Sequence, residues 1–511
     1  MNNKLAKAGA ALFLVTIFSK IAAFLVTIVF SYYFGTDAIT DAYYAGGTIP
    51  NLVNNSLTIC ALTLFIPVYT KCKSEVGEQK ADELTSNVLN AFVIFNTILF
   101  AAVCITSPIL SKLVAPGFDE EGLVHTRQMI CYLSMSFPFT VAAVTLNNLC
   151  NANQRYIFPA LLTLFNHVFI IVFNIILAPT LGIFSYPFIC TGAWIVQLAI
   201  LYFWSRGRLF KHKFIINLKD NYFRYMIKQS IPVMVTTAAD QINLAADNII
   251  SSDLPGGSLS CLGYAHRIFN SINGIVTSTL LTIYYPILSR QYAEKDTKGL
   301  NSSLRRYFEI MLLLTLPVMM LLIGNSDGVI KILFNRGAMK ENDIKKISIL
   351  FIVYVSGLLF MSLKEFATRL FYIIGDTKQP TIINSICVVM NICLSLTFKH
   401  FWEIYGIAIA TSVSTTICAV IECVFLAKKA GGVKAIKNHE IINKKNILQI
   451  TIACLTAMVA MLLFQTFIPI YSNIISIIFS GMIYIVVAFV MLCLFKNEYT
   501  IIILKKINRG K

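Results

Sequence analysis

The chain predicts an all-α polytopic membrane protein of about fourteen spans. Three observations lead there: a composition poor in charge, a chain-long run of span-length apolar windows, and an internal repeat that keeps polar residues inside those windows. Of 511 residues, 57% are hydrophobic and 13% charged. Soluble domains carry about 25% charged residues, so little of this chain is left for one.

Windows of about 20 mostly apolar residues, enough to cross about 30 Å of hydrocarbon, fall near 8–34, 42–70, 87–111, 127–150, 157–178, 182–204, 226–251, 260–289, 305–323, 344–373, 380–398, 404–427, 447–469 and 472–495. The first runs on without a small-residue cleavage pattern, so it reads as a span and not as a signal peptide. The longest polar connections, 205–225 and 428–446, divide the rest. They leave a six-helix lobe at 1–204, a second at 226–427, and two final helices with a basic tail at 447–511.

The repeat supports the same division. Asn51 to Lys71 recurs 219 positions later as Asn270 to Arg290, with Asn51 on Asn270, Asn54 on Asn273, Thr63 on Thr282 and Pro67 on Pro286. Lys112-Leu-Val-Ala recurs at Lys331-Ile-Leu-Phe. Paired multi-helix units that both keep amides in a lipid-soluble helix are how transporters enclose a pathway.

The formal charge of +17 is placed by topology and not by nucleic acid. Arg206, Arg208, Lys211, Lys213, Lys219 and Arg224 fill one connection; Lys428, Lys429, Lys434, Lys437, Lys444 and Lys445 fill another. Roughly 29 basic residues lie on that side against about 5 opposite, the positive-inside pattern. Both termini are thereby expected in the cytoplasm, and anionic lipids are expected partners of the basic loops. A monomer is expected. Thirteen cysteines lie scattered through apolar windows without CxxC or Cys/His spacing, so they read as small hydrophobes. Prolines such as Pro67, Pro138, Pro159, Pro286 and Pro317 bend spans or sit at their ends.

Polar residues inside spans carry the functional reading. Lys20 stands mid-way along the first span, where a charge must face a wet cavity or a partner. Asn51, Asn54, Asn55 and Thr58 share one face of the second, as substrate contacts or as packing hydrogen bonds. Asp240 and Asp247, two turns apart on the seventh with Gln241, Asn243 and Asn248, suit ion coupling or an intramembrane ion pair. Arg267, after His266 and before Asn270 and Asn273, presents a donor fork suited to phosphate. Lys364, Glu365 and Arg369 read as snorkelling or structural charges. No P-loop, G-x-S-x-G or paired acid in an aqueous domain appears, so the chain reads as a transporter with no cofactor and not as an enzyme.

Phe34-Gly-Thr-Asp-Ala-Ile-Thr-Asp-Ala-Tyr43, Ile49-Pro-Asn-Leu52, Phe65-Ile-Pro-Val-Tyr69, Ala115-Pro-Gly-Phe118 and Tyr264-Ala-His-Arg267 resemble the MurJ (MviN) family of lipid II flippases. The resemblance covers roughly residues 8–430, the last two helices matching by position. It implies two six-helix lobes in a V around a cationic cavity and an undecaprenyl-diphosphate-linked glycan as cargo. It also implies a groove for the polyprenyl tail on the last pair of helices, and rocking driven by membrane potential, Na+ or H+. The family's cavity arginines fall on Lys20, Val26, Asn54, Asn55 and Arg267, so two cationic centres remain. A sodium site of some members would fall on Asp247, Asn391 and Thr411, with Cys387 where an asparagine is common. The missing arginines leave a capsule or exopolysaccharide unit as the alternative cargo, and a cation-coupled drug exporter as a third reading.

Overall fold

Two successive sets of helices use the same plan. In the computed structural model the first set comprises α1 (Asn2–Phe34), α2 (Ala38–Gly46), α3 (Thr48–Val76), α4 (Glu78–Val114), α5 (Glu120–Ser134), α6 (Phe137–Ala152), α7 (Ile157–Leu181), a 3-10 turn and α8 (Ser185–Ser205). The second comprises α9 (Asn221–Ser251), α10 (Ser258–Ala293), α11 (Thr297–Gly324), α12 (Ser326–Phe334), α13 (Glu341–Ser356), α14 (Leu358–Ile373) and α15 (Lys378–Lys429). Two further helices follow, α16 (Lys444–Phe467) and α17 (Asn473–Leu494). The structure describes residues 2–429, 444–468, 472–497 and 500; inside helices, the side chains of 2–10, 59–63, 232–233, 235–237, 239–240, 278–279, 282, 429 and 444 are not among those described. Lys4, Lys7, Lys434, Lys437 and the basic tail from Lys505 thus lie outside the described side chains, as do Thr63 and Thr282 of the repeat.

The repeat extends well beyond the matched residues. Equivalent elements begin at 2 and 221, 38 and 258, 78 and 297, 120 and 341, 137 and 358, and 157 and 378. Breaks differ between copies. The first is interrupted at Gly47, where the second has one continuous α10; the second is interrupted at Asn325, where the first has one continuous α4.

Among the described residues, eight helical stretches are long and apolar enough to cross a membrane, or nine with the bent pair α13–α14 counted as one span. Two of the eight, of 49 and 51 residues, are double. At about 1.5 Å per residue each measures roughly 75 Å, far more than one crossing. The first folds back at Gly182–Phe184. The second reverses at Trp402 and Glu403, the latter at φ +48°. Its arms run antiparallel, since Asn391 Nδ2 meets Ser414 Oγ at 3.0 Å and Cys418 Sγ meets Asn384 Oδ1 at 3.5 Å. Backbone groups freed at such breaks must find partners in a bilayer. At the 43° bend between α13 and α14, the Val353 carbonyl accepts from Ser356 Oγ at 2.6 Å and Ser412 Oγ at 3.0 Å.

By contacts the chain divides into residues Met1–Ser260 with Arg336–Met339, and the remainder. The first unit includes α9, because α9 lies along α3. Asn55 Nδ2 bonds Gln241 Oε1 at 3.1 Å and, two turns away on both helices, Asn248 Nδ2 bonds Thr48 Oγ1 at 3.0 Å, which sets the two helices antiparallel. A stripe of Ala22, Val26 and Phe30, spaced by four, buries one face of α1, which packs on α7.

The motif from Phe34 to Tyr43 serves one end of this unit. Gly35 holds φ +58° with the Ala338 carbonyl beside its Cα, and Gly337 at φ +65° lies against the Tyr32 carbonyl. Ala338 N donates to Tyr32 O at 2.9 Å. Asp37 caps α2 by accepting from Thr40 N at 2.8 Å. In the Ala-Pro-Gly-Phe loop, Gly117 presses on the Asp253 backbone and donates to Ser252 Oγ at 3.3 Å. Each glycine permits a backbone approach that a Cβ would block.

The second unit has its own core, in which Tyr307 stacks on Phe366 at 3.6 Å. Here α16 and α17 are tied at both ends. Glu309 Oε1, almost fully buried, accepts from Arg305 Nε at 3.2 Å and Asn446 Nδ2 at 3.1 Å. Asn325 Oδ1, at the break between α11 and α12, accepts from Ser480 Oγ at 2.7 Å and Gln465 Nε2 at 2.9 Å.

Replacing Gly35 with alanine strains the left-handed residue and drives a methyl group into Ala338. The expected cost is about 1–3 kcal/mol, read as a lower apparent melting temperature in detergent; an unchanged value would contradict this packing.

Candidate functional site

Six of the seven residues expected to meet substrate lie open or half-open on their helices. Lys20 is exposed on α1, within electrostatic reach of His167 on α7. Asn51 and Asn55 are exposed on α3, and Asn54 is half-buried with its Oδ1 unpartnered among the described residues. An amide oxygen left so in a membrane helix marks a place that water or a ligand can complete. Asn55 already spends one donor on Gln241. Asn270 is exposed on α10, its amide 3.2 Å from the His266 ring.

Arg267 is half-buried and acts electrostatically on His266. Asn273 is different. It is buried, donates to Glu365 Oε1 at 3.0 Å and accepts from Thr277 Oγ1 at 2.9 Å, while Thr277 and Ser362 hydroxyls meet at 3.0 Å. One turn on, Thr368 Oγ1 reaches the fully buried Glu422 at 2.9 Å. Glu365 is thus tied into a polar seam between α10 and α14. Arg369 stays exposed over the Tyr372 ring.

Among the ion-coupling candidates, Asp247 is buried in the first unit and is not without a partner there. Asp240 falls outside the described side chains. Asn391 and Thr411 come together in the second unit, the amide donating to Thr411 Oγ1 at 3.3 Å and to Ser414 Oγ at 3.0 Å. Val26 is buried 7% exposed in the stripe that packs α1. The position where the resemblance expects an arginine is here a core position, and no cation is presented from it.

Sequence reasoning passed over Asp41. It projects from α2, is 3% exposed, and accepts from Gly257 N at 2.6 Å and Ser260 N at 2.7 Å. These are the first N–H groups of α10, whose opening turn belongs to the first unit. A carboxylate there satisfies orphan donors and meets the positive end of the helix. Burial nevertheless dominates: the carboxyl is pushed up to about 6, against the Ser260 and Gly257 bonds and with Asp37 adding to the rise. The available signal was an acid one turn after a capped Asp37, at the border of an apolar window.

These features define a class: an integral membrane transporter of two similar helical sets, with amides and few cations on helices that are otherwise apolar. Matches with known proteins narrow it. The family model described as lipid II flippase MurJ matches residues 30–491, and the chain belongs to that family. A probable lipid II flippase MurJ of Buchnera aphidicola subsp. Baizongia pistaciae is 27% identical over 423 residues, covering 80% of this chain and 81% of the relative. The probable lipid II flippase MurJ of Thermotoga maritima is 26% identical over 400 residues, covering 78% and 80%. A lipid II flippase MurJ solved in an inward closed conformation shares the fold at TM-score 0.79 and 23% identity, over 94% of this chain and 98% of that one. The protein is a flippase of the inner membrane, a transporter and not an enzyme. The family match favours neither a capsule-unit flippase nor a drug exporter.

Asp41→Ala removes the acceptor of two buried N–H groups, at about 1–3 kcal/mol each, and lowers the apparent melting temperature. Because the carboxyl holds its proton more tightly folded than unfolded, its contribution is fully present below the ordinary value of 3.8 and is lost as pH rises through about 6. Melting curves of the parent should show this decline, and those of Asp41→Asn should lack it.

Proposed function

We propose that this chain carries lipid II, an undecaprenyl-diphosphate-linked glycan, from the inner to the outer leaflet of the cytoplasmic membrane by alternating access. The observation that carries the reading is the family match over residues 30–491, which includes every candidate site residue except Lys20. Lys20 and Arg267 supply positive charge to the diphosphate, Arg267 through its planar fork and Lys20 as a point charge. Asn51, Asn54, Asn55 and Asn270 supply neutral donors and acceptors around it. The buried Asn273 acts at one remove, by fixing Glu365 and the face of α10.

With no nucleotide-binding loop in the sequence, the work comes from the membrane potential or from a Na+ or H+ gradient. Asp240 and Asp247, or the Asn391–Thr411 cluster, are the groups offered to such an ion. Both termini lie in the cytoplasm in this reading, following the basic loops. The protein works as a monomer, and the last two helices accommodate the prenyl tail.

The test is replacement. In a bacterium depleted of its own lipid II flippase, this chain should restore growth and the outer-leaflet appearance of lipid II. Failure with normal membrane insertion would overturn the cargo. In the same assay Arg267→Ala should abolish rescue, while Lys20→Arg, which restores a fork, should keep it; rescue by Arg267→Ala would refute the anion site. Arginine in place of Asn54 should raise flipping at limiting expression.

A further inference from the structure

The connection between α8 and α9 is a built structure and not a loose linker. Gly207, at φ +78°, turns the chain and donates to Phe210 O at 2.8 Å. Residues 211–217 then run extended across the first turns of α4, which offers Asp82, Ser86, Asn87 and Asn90 along one face. Lys211 N donates to Asp82 Oδ2 at 3.0 Å and Lys213 N to Ser86 Oγ at 3.2 Å. Asn90 Nδ2 donates to the carbonyls of Lys213 and Ile215 at 3.0 and 3.1 Å. Asn87 closes the strap with a two-way pair, accepting from Asn217 N at 2.7 Å and donating to Asn217 O at 2.9 Å. His212 is held between the Tyr202 hydroxyl at 3.1 Å and Asn90 Oδ1 at 3.0 Å. Burial, with Arg206 adding, keeps its ring below the ordinary histidine value and so favours the neutral form.

Side chains alternate along an extended segment. With residues 211, 213, 215 and 217 bonded to α4 through their backbone, Phe214 and Ile216 point away and Leu218 follows them in the turn, while His212 alone turns back to Asn90. Phe214 is 80% exposed, Ile216 45% and Leu218 61%. Three large apolar groups held rigidly in the open need a cover. The surroundings say which kind. Arg208, Lys211 and Lys219 are exposed around them. The nearby acids are engaged, Asp220 by Lys80 at 2.8 Å and Glu83 by Lys213 at 3.1 Å. A helical stretch apolar enough to cross a membrane ends at Ser205, directly before the strap, so the exposed apolar groups lie just beyond the end of a span.

We propose that residues 211–218 form a membrane-anchoring strap: Phe214, Ile216 and Leu218 enter the acyl boundary, and Arg208, Lys211 and Lys219 hold anionic phospholipid head groups. This combination of a buried apolar face and basic flanks is how interfacial segments select anionic leaflets. The strap does so as a fixed extended ribbon, with its backbone satisfied by asparagines of α4 in place of helical bonds. It is independent of the cargo.

The test uses the full chain carrying Phe214→Trp, reconstituted in phosphatidylcholine with one quarter phosphatidylglycerol, either lipid brominated on its acyl chains. The exposed site accepts the larger ring, and the parent chain gives the background from its own three tryptophans. The introduced indole should be quenched beyond that background, and more by brominated phosphatidylglycerol than its share of the bilayer explains. Lys211→Gln and Lys219→Gln should each lower that enrichment by about fivefold while leaving quenching by brominated phosphatidylcholine. No added quenching by either lipid would place the face in water or under protein and overturn the proposal. Quenching without preference for phosphatidylglycerol, or a preference unchanged by both substitutions, would overturn the head-group assignment.

Discussion

Two backbone N–H groups at the start of α10 meet one buried carboxylate, and the end of the unit around them is arranged so that the meeting can occur. Asp41 reaches Gly257 and Ser260 only because Asp37 caps α2, and α2 is placed by the left-handed turn at Gly35. Gly257, at φ +88°, in turn lies against the Thr36 carbonyl. A carboxylate so enclosed has no water to fall back on. The hydrogen bonds favour its charged form and the enclosure opposes it. That balance makes this short motif more demanding than the apolar helices around it, whose packing tolerates volume-conserving exchange.

The same economy of polar groups recurs wherever a helix is interrupted. Val353 loses its helical partner at the bend between α13 and α14, and hydroxyls of Ser356 and Ser412 replace it. Asn273, Thr277, Ser362 and Glu365 form a closed seam in which every named group has a partner. The strap on α4 uses Asn87 and Asn90 in place of a sheet. Asn54 Oδ1 differs from these groups in having no partner among the described residues, as do both amide atoms of Asn174, and Lys20 is exposed on α1.

Much of the architecture was legible because a bilayer writes it in hydropathy. Span-length windows gave most helices, and the matched amides and prolines gave the duplication that the element starts at 2 and 221 or 157 and 378 display. Breaks were less legible. The reversal at Trp402–Glu403 fell between the windows 380–398 and 404–427, but the bend between α13 and α14 lay inside one window, and α2 was absorbed into one window with α3. At the site, periodicity put Asn51, Asn54 and Asn55 on one face, but could not tell Asn270, which is exposed, from Asn273, which is spent on Glu365. That distinction depends on a glutamate 92 residues away. Asp41 escaped for the same reason: its partners are backbone groups, which have no sequence signature.

The interruption at Asn325 has a consequence for how the final two helices belong to the molecule. At this break the side-chain Oδ1 of Asn325 accepts from both Ser480 and Gln465 of the hairpin. At the other end the buried Glu309 is shared between Arg305 of its own helix and Asn446 of the hairpin. Trimming away the appended hairpin would therefore take two donors from the Asn325 amide oxygen and one from Glu309, so the last two helices are stitched to the second unit by polar groups that hydrocarbon could not replace.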